Sequence, residues 1–188
     1  MTKKIMIVGV GGQGTLLASR ILGNTVINEG YDVKVSEVHG MSQRGGSVVT
    51  YVKFGDKVFS PVIDKGEADI ILAFEMLEAY RAMPFLKKGG KMIVNNQKIN
   101  PMPVIIGATE YPENIGDKLR ENIDLTEVEA LEIAKEAGNS KAVNVVLIGV
   151  MAKNTDIAYE KWVETIKTTV PEKFLDVNLK AFEMGYNL

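Results

Sequence analysis

The sequence predicts an α/β protein in which helices flank a mostly parallel β-sheet, with a β-hairpin insertion and a helical C-terminal third. Apolar runs rich in β-branched residues, at 4–10 and 69–74, suit strands that are buried on both faces, as in parallel sheets. Segments with helical spacing of apolar residues follow both runs. From residue 129 onward, helical patterns succeed one another.

The N-terminal segment predicts a βαβ unit. A strand over 4–10 runs into a glycine turn, and a helix over 15–29 follows and stops at Gly30. A second short strand is expected over 31–35. Strand, turn, helix and strand within about thirty residues form a βαβ unit, whose crossover is normally right-handed.

A β-hairpin is expected to interrupt this alternation. The β-branched and aromatic residues of 47–54 predict one strand, Gly55-Asp56 a turn, and 57–63 the returning strand. Pro61 indicates that this second strand lies at an edge or is bulged, because proline cannot donate a ladder hydrogen bond.

The rest of the chain continues the α/β pattern and then becomes helical. Glu75 follows a buried strand, where it serves either a ligand or the N-terminus of the next helix. Strands are expected at 69–74, 91–95, 104–107 and 123–128, and a turn at 88–90. Helices are expected at 75–86, 129–137, 143–152, 156–169 and 171–185, the fourth of them capped by Asp156. We expect one domain spanning residues 1–188.

Composition excludes several classes of function. The formal net charge is −2 and no block of five or six like charges occurs, which argues against a nucleic-acid surface or a basic membrane patch. Without cysteine, the chain supplies no disulfide, thiolate nucleophile or cysteine ligand set, and its one histidine makes a self-contained metal site unexpected. The apolar run 5–10 is too short for a signal or a span, so we expect a cytoplasmic protein.

The glycine turn is a candidate phosphate-binding loop. Gly9, Gly11 and Gly14 match G-x-G-x-x-G between a strand and a helix. Such glycines let the backbone approach a ligand, and the helix start offers free N–H groups to an anion. Glu37 stands where a dinucleotide fold needs an acidic residue, so NAD(P) or FAD binding is one hypothesis. The alternatives are glycines that serve packing only, or that meet a phosphate of another ligand.

Two further features distinguish this region. Gly12 and Gln13 extend the loop to Gly-x-Gly-Gly-Gln-Gly, and the Gln13 amide can both donate and accept beside the helix start. The polar stretch 36–47, Ser-Glu-Val-His-Gly-Met-Ser-Gln-Arg-Gly-Gly-Ser, contains the single histidine, His39. It is either a surface connection or a site, because polar glycine-rich loops at strand ends often carry function.

These two motifs, in this order and spacing, resemble the gamma-type subunits of 2-oxoacid:ferredoxin oxidoreductases. The nearest group is the small (beta) subunit of the indolepyruvate enzymes. The strand end at 69–75, Gly138-Asn139 and Asn144 also fit this pattern. The resemblance covers nearly the whole chain and implies a Rossmann- or flavodoxin-like fold.

The resemblance also implies a role in a complex. Such enzymes convert an aryl 2-oxoacid, coenzyme A and oxidised ferredoxin to acyl-CoA, CO₂ and reduced ferredoxin. Thiamine diphosphate, Mg²⁺ and [4Fe-4S] clusters are expected in a large partner subunit, and ferredoxin contacts the complex. This chain has neither cysteine nor the Gly-Asp-Gly…Asn-Asn thiamine motif. It is expected to be inactive alone and to bind no metal.

The resemblance carries site roles onto both motifs. Arg44 is a candidate catalytic residue that meets a substrate carboxylate or a coenzyme A phosphate, the alternative being an ordinary salt bridge. His39 either donates a hydrogen bond or proton near the site or holds the loop. The expected cofactor-side residues are Gly9, Gly11, Gly12, Gln13, Gly14, Ser42, Gln43, Arg44, Gly45 and Gly46. Two rival functions stay open: a free-standing NAD(P)- or FAD-dependent oxidoreductase and a non-catalytic α/β interaction module.

Overall fold

The computed structural model describes residues 2–39 and 46–188, with only the backbone of His39. Six strands are described: β1 (Lys3–Val10), β2 (Asp32–His39), β3 (Ser47–Gly55), β4 (Ala68–Ala73), β5 (Leu86–Asn95) and β6 (Asp124–Val128). The α-helices are α1 (Thr15–Asn28), α2 (Met76–Ala82), α3 (Met102–Ile105), α4 (Ile115–Arg120), α5 (Ala130–Ala137), α6 (Val143–Lys153), α7 (Tyr159–Thr169) and α8 (Leu175–Tyr186). Short 3₁₀ turns cover Met83–Phe85, Ser140–Ala142 and Glu172–Phe174.

The six strands form one mixed sheet in the order β2-β3-β1-β4-β5-β6. Strands β1, β4, β5 and β6 pair in parallel, and β3 runs antiparallel to both of its neighbours. Since β3 opposes both β1 and β2, those two strands point the same way. The prediction of a mostly parallel sheet with a helical C-terminal part is therefore confirmed.

The predicted hairpin involves the wrong partner strand. β3 pairs with β2, in a register from Asp32–Gly55 to His39–Val48, rather than with residues 57–63. Strand β2 consequently extends to His39, beyond the predicted end at residue 35, because pairing with β3 outweighs the polar composition of that stretch. The hairpin inserts β3 between β1 and β2.

Residues 57–63 form no strand, because side chains elsewhere in the protein bind backbone groups of this segment by hydrogen bonds. The Val58 N–H donates to Asp32 Oδ2 at 2.8 Å, and the Val62 carbonyl accepts from Lys53 Nζ at 2.9 Å. Pro61 has no N–H to offer a ladder. Ile63 is buried and anchors the segment against the α2 side of the sheet.

Three smaller expectations also need correction. The expected strand over 104–107 is instead the end of helix α3 and the turn that follows it, and Pro103 is well tolerated in the first turn of that helix. The expected turn at 88–90 lies within β5, whose pairing with β4 is irregular there. Helix α7 begins at Tyr159 with Ala158 as its N-cap, so Asp156 is not the cap.

Helices cover both faces of the sheet and bury two apolar layers. Strand β1 alternates between them, because successive side chains of a strand point to opposite faces. Ile5 and Ile7 pack with α1, α5, α6, α7 and α8, whereas Met6 and Val8 pack with α2 and α4. Helix α6 is apolar on nearly every side and contacts α1, α5, α7 and α8 as well as β4 and β5, as its composition predicts.

Candidate functional site

The glycine loop lies at the carboxyl edge of the sheet, where the connections from β1 and β4 diverge. After β1 the chain enters α1 on one face, and after β4 it enters α2 on the other. This divergence is a topological switch point, which is the usual ligand crevice of open α/β sheets. The predicted position of the loop, between a strand and a helix, is confirmed.

The Gln13 side chain fills the start of this crevice. Its Oε1 accepts from the Val10 N–H at 2.7 Å, and its Nε2 donates to the Phe74 carbonyl at 2.9 Å. Nε2 also lies 3.1 Å from Gln97 Oε1. The Gln13 amide therefore joins the ends of β1 and β4 to the segment after β5, and its polar atoms serve the protein itself.

Asn95 and Gln97 complete this amide cluster from β5. Asn95 Nδ2 donates to the same Phe74 carbonyl at 3.2 Å and to Gln97 Oε1 at 3.0 Å. The Gln97 carbonyl accepts from the Met76 N–H at 3.0 Å. Sequence reasoning missed both residues, because nothing in the local pattern signals a contact that spans 84 positions from Gln13 to Gln97.

Two glycines of the motif are required by close approach. A Cβ at Gly9 would lie 2.9 Å from Gln13 Oε1 and 3.0 Å from the Phe74 Cβ. Gly14 has φ +84°, which L side chains rarely adopt, and a Cβ there would lie 2.7 Å from Asn144 Nδ2. Gly9 and Gly14 therefore have packing reasons that need no ligand. A Cβ at Gly12 would meet no atom within 4 Å.

The end of the polar stretch is fixed beside the glycine loop. The Gly11 N–H donates to the Gly46 carbonyl at 2.9 Å. Ser47 Oγ donates to Glu78 Oε2 at 2.5 Å, and Arg81 Nη1 donates to Glu78 Oε1 at 2.6 Å. The structure therefore brings Gly46 together with Gly11 and ties β3 to α2.

Most of the other site residues predicted in the polar stretch are not among the residues that the structure describes. Ser42, Gln43, Arg44 and Gly45 fall outside the described residues, so their assignments remain predictions. The His39 backbone closes β2 opposite Val48. The described chain resumes at Gly46, whose carbonyl accepts from the Gly11 N–H, and continues into β3.

Glu37 does not occupy the position that a dinucleotide fold requires. Strand β3 separates β2 from β1, which moves Glu37 one strand spacing, about 4.8 Å, further from the glycine loop. Its Oε1 lies 3.5 Å from Ser19 Oγ and 3.4 Å from Thr50 Oγ1, on the α1 side of the sheet. With Gln13 in the crevice, this placement disfavours the hypothesis of a free-standing NAD(P) or FAD enzyme.

Glu75 is the N-cap of α2, as one of the two sequence interpretations predicted, and it also binds the segment that follows β5. The residue is 1% exposed, and its Oε2 accepts from the Glu78 N–H at 2.9 Å. Its Oε1 accepts from the Ile99 N–H at 3.0 Å and from the Tyr111 hydroxyl. One buried carboxyl group thus fixes α2 and both ends of the segment that follows β5.

The Tyr111 hydroxyl gives this cluster a measurable pH dependence. Burial, and then the hydrogen bond to Glu75, raise the pKa of Tyr111 well above its ordinary value of 10.0. A raised folded-state pKa contributes stability that is complete below the unfolded value and is lost as the pH rises above it. Above about pH 10 the free energy of unfolding should therefore fall more steeply in the wild type than in Tyr111→Phe.

Urea titrations at several values between pH 7 and pH 11 measure this difference in slope. The pH 7 data report the contribution of the hydroxyl hydrogen bond itself, and the other tyrosines are common to both proteins. Parallel pH profiles for the two proteins would contradict the assigned environment of Tyr111.

A second concavity, of about 500 Å³, lies at the opposite edge of the sheet. Its charged walls pair with one another: Lys91 Nζ lies 3.6 Å from Asp124, Lys3 Nζ lies 3.4 Å from Asp156, and Lys87 pairs with Asp69. It opens at the amino ends of the parallel strands, away from the glycine loop. These three pairs neutralise most of the charge that lines the concavity.

The described residues contain neither a metal-binding cluster of side chains nor a membrane-spanning helix. Within 2–39 and 46–188, no group of three or more His, Cys, Asp or Glu side chains is placed to hold a metal ion. No helix in this part of the chain has both the length and the apolar character needed to cross a bilayer.

Comparison with known proteins identifies the family. The family model described as pyruvate ferredoxin/flavodoxin oxidoreductase matches residues 4–188. Indolepyruvate oxidoreductase subunit IorB of Pyrococcus horikoshii is 44% identical over 187 residues, covering 96% of this chain and 93% of that protein. Ketoisovalerate oxidoreductase subunit VorA of Methanothermobacter marburgensis is 29% identical over 97% of this chain, but this span is only 35% of that longer protein.

Comparison with a solved structure supports the same family. The gamma subunit of a keto/oxoacid ferredoxin oxidoreductase from Geobacter sulfurreducens superposes with a TM-score of 0.74 and 26% identity, covering 98% of this chain and 96% of that one. The resemblance inferred from the two motifs is confirmed by these matches. The chain belongs to the pyruvate ferredoxin/flavodoxin oxidoreductase family, in which its counterparts are the gamma-type or small subunits.

Proposed function

We propose that this chain is the small subunit of an indolepyruvate:ferredoxin oxidoreductase and that it acts only within a complex. The observation that carries the proposal is the 44% identity to a subunit with that name along nearly the full length of both proteins. In the reaction an aryl 2-oxoacid loses CO₂ and two electrons, which reduce ferredoxin. The remaining acyl group forms a thioester with the sulfur of coenzyme A.

The donor groups of this chain do not fit the cofactors of such an enzyme. Iron–sulfur clusters need cysteine thiolates, and the sequence has none. The sequence also lacks the Gly-Asp-Gly…Asn-Asn motif that holds thiamine diphosphate and its magnesium. We assign thiamine diphosphate, Mg²⁺ and the [4Fe-4S] clusters to a larger partner subunit, whose clusters pass electrons to ferredoxin.

The part left to this chain is to bind and orient coenzyme A or the oxoacid at the edge of the partner's site. The first turn of α1 has no side-chain cap, and Gly14 opens it toward the carboxyl edge of the sheet. Helix N-termini favour anions, so this turn suits a phosphate of coenzyme A. The adjacent segment adds Arg44 as the cation, His39 as a donor, and Ser42, Gln43 and Gly45 as loop-forming residues.

The glycine motif has a divided role in this proposal. Gly11 and Gln13 hold the loop and the base of the polar stretch, since the Gly11 N–H meets the Gly46 carbonyl and the Gln13 amide meets Phe74. Gly12, which is open, faces the ligand side, whereas Gly14 packs against Asn144 and starts the helix. We take residues 1–188 as a single gamma-type domain, because one continuous sheet joins its halves.

The test is to co-express the chain with the large thiamine-dependent subunit of its host and to assay the complex. Wild-type complex should form and should oxidise indolepyruvate when coenzyme A and ferredoxin are present. Arg44→Ala should raise the KM for coenzyme A or for the oxoacid by about 10- to 100-fold, the value of one charge-assisted hydrogen bond of roughly 1.5–3 kcal/mol.

The matched control is Arg20→Ala, which removes an exposed arginine from α1. It should leave both KM values unchanged. Failure of the wild-type chain to co-purify with any thiamine-diphosphate protein would remove the proposed function. An unchanged KM in Arg44→Ala within an active complex would remove only the role of Arg44.

A further inference from the structure

The loop between β5 and α4 has features that the site so far described does not use. It spans residues 99–111 and is called the apical loop here. The Ile99 N–H and the Tyr111 hydroxyl, at its two ends, both donate to Glu75 Oε1. Glu75 directly follows Phe74, whose carbonyl binds Gln13. The apical loop therefore rises from the same sheet edge as the glycine loop.

The tip of the apical loop exposes three apolar side chains. Met102 is 62% exposed, Ile105 64% and Ile106 70%. The tip is closed by its own backbone, since the Ala108 N–H donates to the Pro103 carbonyl at 2.9 Å. These side chains are exposed to solvent, and the conformation of the loop is fixed by the hydrogen bonds of its two ends to Glu75.

Charge is absent from the tip and present at its margin. Residues 99–109 contain no charged side chain, whereas Lys98 and Glu110 flank them. An apolar centre with a charged rim is the usual anatomy of a protein–protein interface. Clustered exposed apolar side chains are uncommon on isolated soluble proteins and mark interaction sites. A loop already fixed by Glu75 would lose little conformational entropy on binding.

We propose that the apical loop is a docking element that inserts Met102, Ile105 and Ile106 into an uncharged groove of the larger oxidoreductase subunit. This inference rests on the proposed function. The larger subunit is the occupant rather than a second copy, because the relative from Methanothermobacter marburgensis carries this span as 35% of one longer chain. In that relative the counterpart of this chain is covalently joined to a polypeptide about twice its length. The position at the glycine-loop edge directs the docked subunit toward the proposed ligand site.

The experiment compares two double variants in binding to the purified large subunit. Ile105→Ser/Ile106→Ser removes two of the three apolar side chains of the tip, and both positions are exposed, so the fold is retained. Phe59→Ser/Val62→Ser is the matched control, because Phe59 is 84% exposed and Val62 52% exposed on a different segment. Calorimetric titration should show a Kd that rises at least about tenfold for the tip variant and stays within about twofold for the control.

The outcomes separate the two proposals. If the wild-type chain does not bind the large subunit, the proposed function fails and the docking role fails with it. If the wild type binds and the tip variant binds equally well, only the docking role is overturned. Equal weakening by the control variant would also overturn it. A wild-type dimer that dissociates in the tip variant, with unchanged affinity for the large subunit, would make a second copy the occupant and overturn it too.

Discussion

Gly185→Ala should destabilise the protein by about 3–5 kcal/mol, because its new methyl group would meet backbone that has no room to move. A Cβ at Gly185 in α8 would lie 2.1 Å from the Val146 carbonyl oxygen in α6. The reverse contact is as close, since a Cβ at Gly149 would lie 2.3 Å from the Phe182 carbonyl oxygen. The two helices therefore approach backbone to backbone through paired glycines. Separating them would open the apolar layer around Val146 and Phe182, both fully buried.

Urea denaturation, monitored by circular dichroism, measures the change in the free energy of unfolding. In a thermal scan, the Tm should fall by roughly 10 °C or more. Gly23→Ala is the matched control, because Gly23 lies within α1 and a Cβ there would meet no atom within 4 Å. That change should be neutral or should stabilise the helix by about 0.5–1 kcal/mol. Equal unfolding midpoints for Gly185→Ala and the wild type would show that α6 and α8 do not pack this closely.

Much of the sheet was predictable because its strands are buried on both faces. Such strands are continuous apolar runs, and the runs at 4–10, 69–74 and 91–95 correspond to β1, β4 and the second half of β5. The partner of β3 was not predictable in this way. Residues 36–39 are polar except for Val38, and residues 57–63 carry the stronger β-branched signal. The register with β3 is decided by pairing across the sheet, which no local pattern reports.

The candidate site shows the same limit. The glycine loop and its position between β1 and α1 followed from spacing alone. The inward use of Gln13 did not, because its partners Phe74 and Gln97 lie 61 and 84 positions away. Glu75 was recognisable as a helix N-cap from its place after a strand, but its bond to Tyr111 crosses 36 positions. Local chemistry is visible in sequence, whereas the polar network that joins loops is a product of the fold.

Glu75→Ala should cost about 3–5 kcal/mol of folding free energy, since one buried and two partly buried donors would lose their acceptor, at roughly 1–3 kcal/mol for a fully buried one. The Glu78 and Ile99 N–H groups and the Tyr111 hydroxyl would all lose their partner. Glu75→Gln should lose less, because its Oε1 can still accept from Ile99 and Tyr111. Its Nε2 would instead face the Glu78 N–H, donor against donor, and would weaken the cap of α2.

Urea unfolding measures the stability of these variants, and limited proteolysis measures the order of the apical loop. Glu132→Ala is the control, because Glu132 is exposed and forms only an i,i+3 pair with Lys135 at 2.7 Å, worth at most about 0.5 kcal/mol. Cleavage within residues 99–111 should accelerate in Glu75→Ala and stay at the wild-type rate in Glu132→Ala. Loss of stability without faster cleavage there would assign Glu75 to the cap of α2 alone. Faster cleavage together with weaker binding of the large subunit would show that one buried carboxyl group both caps a helix and holds the docking element in place.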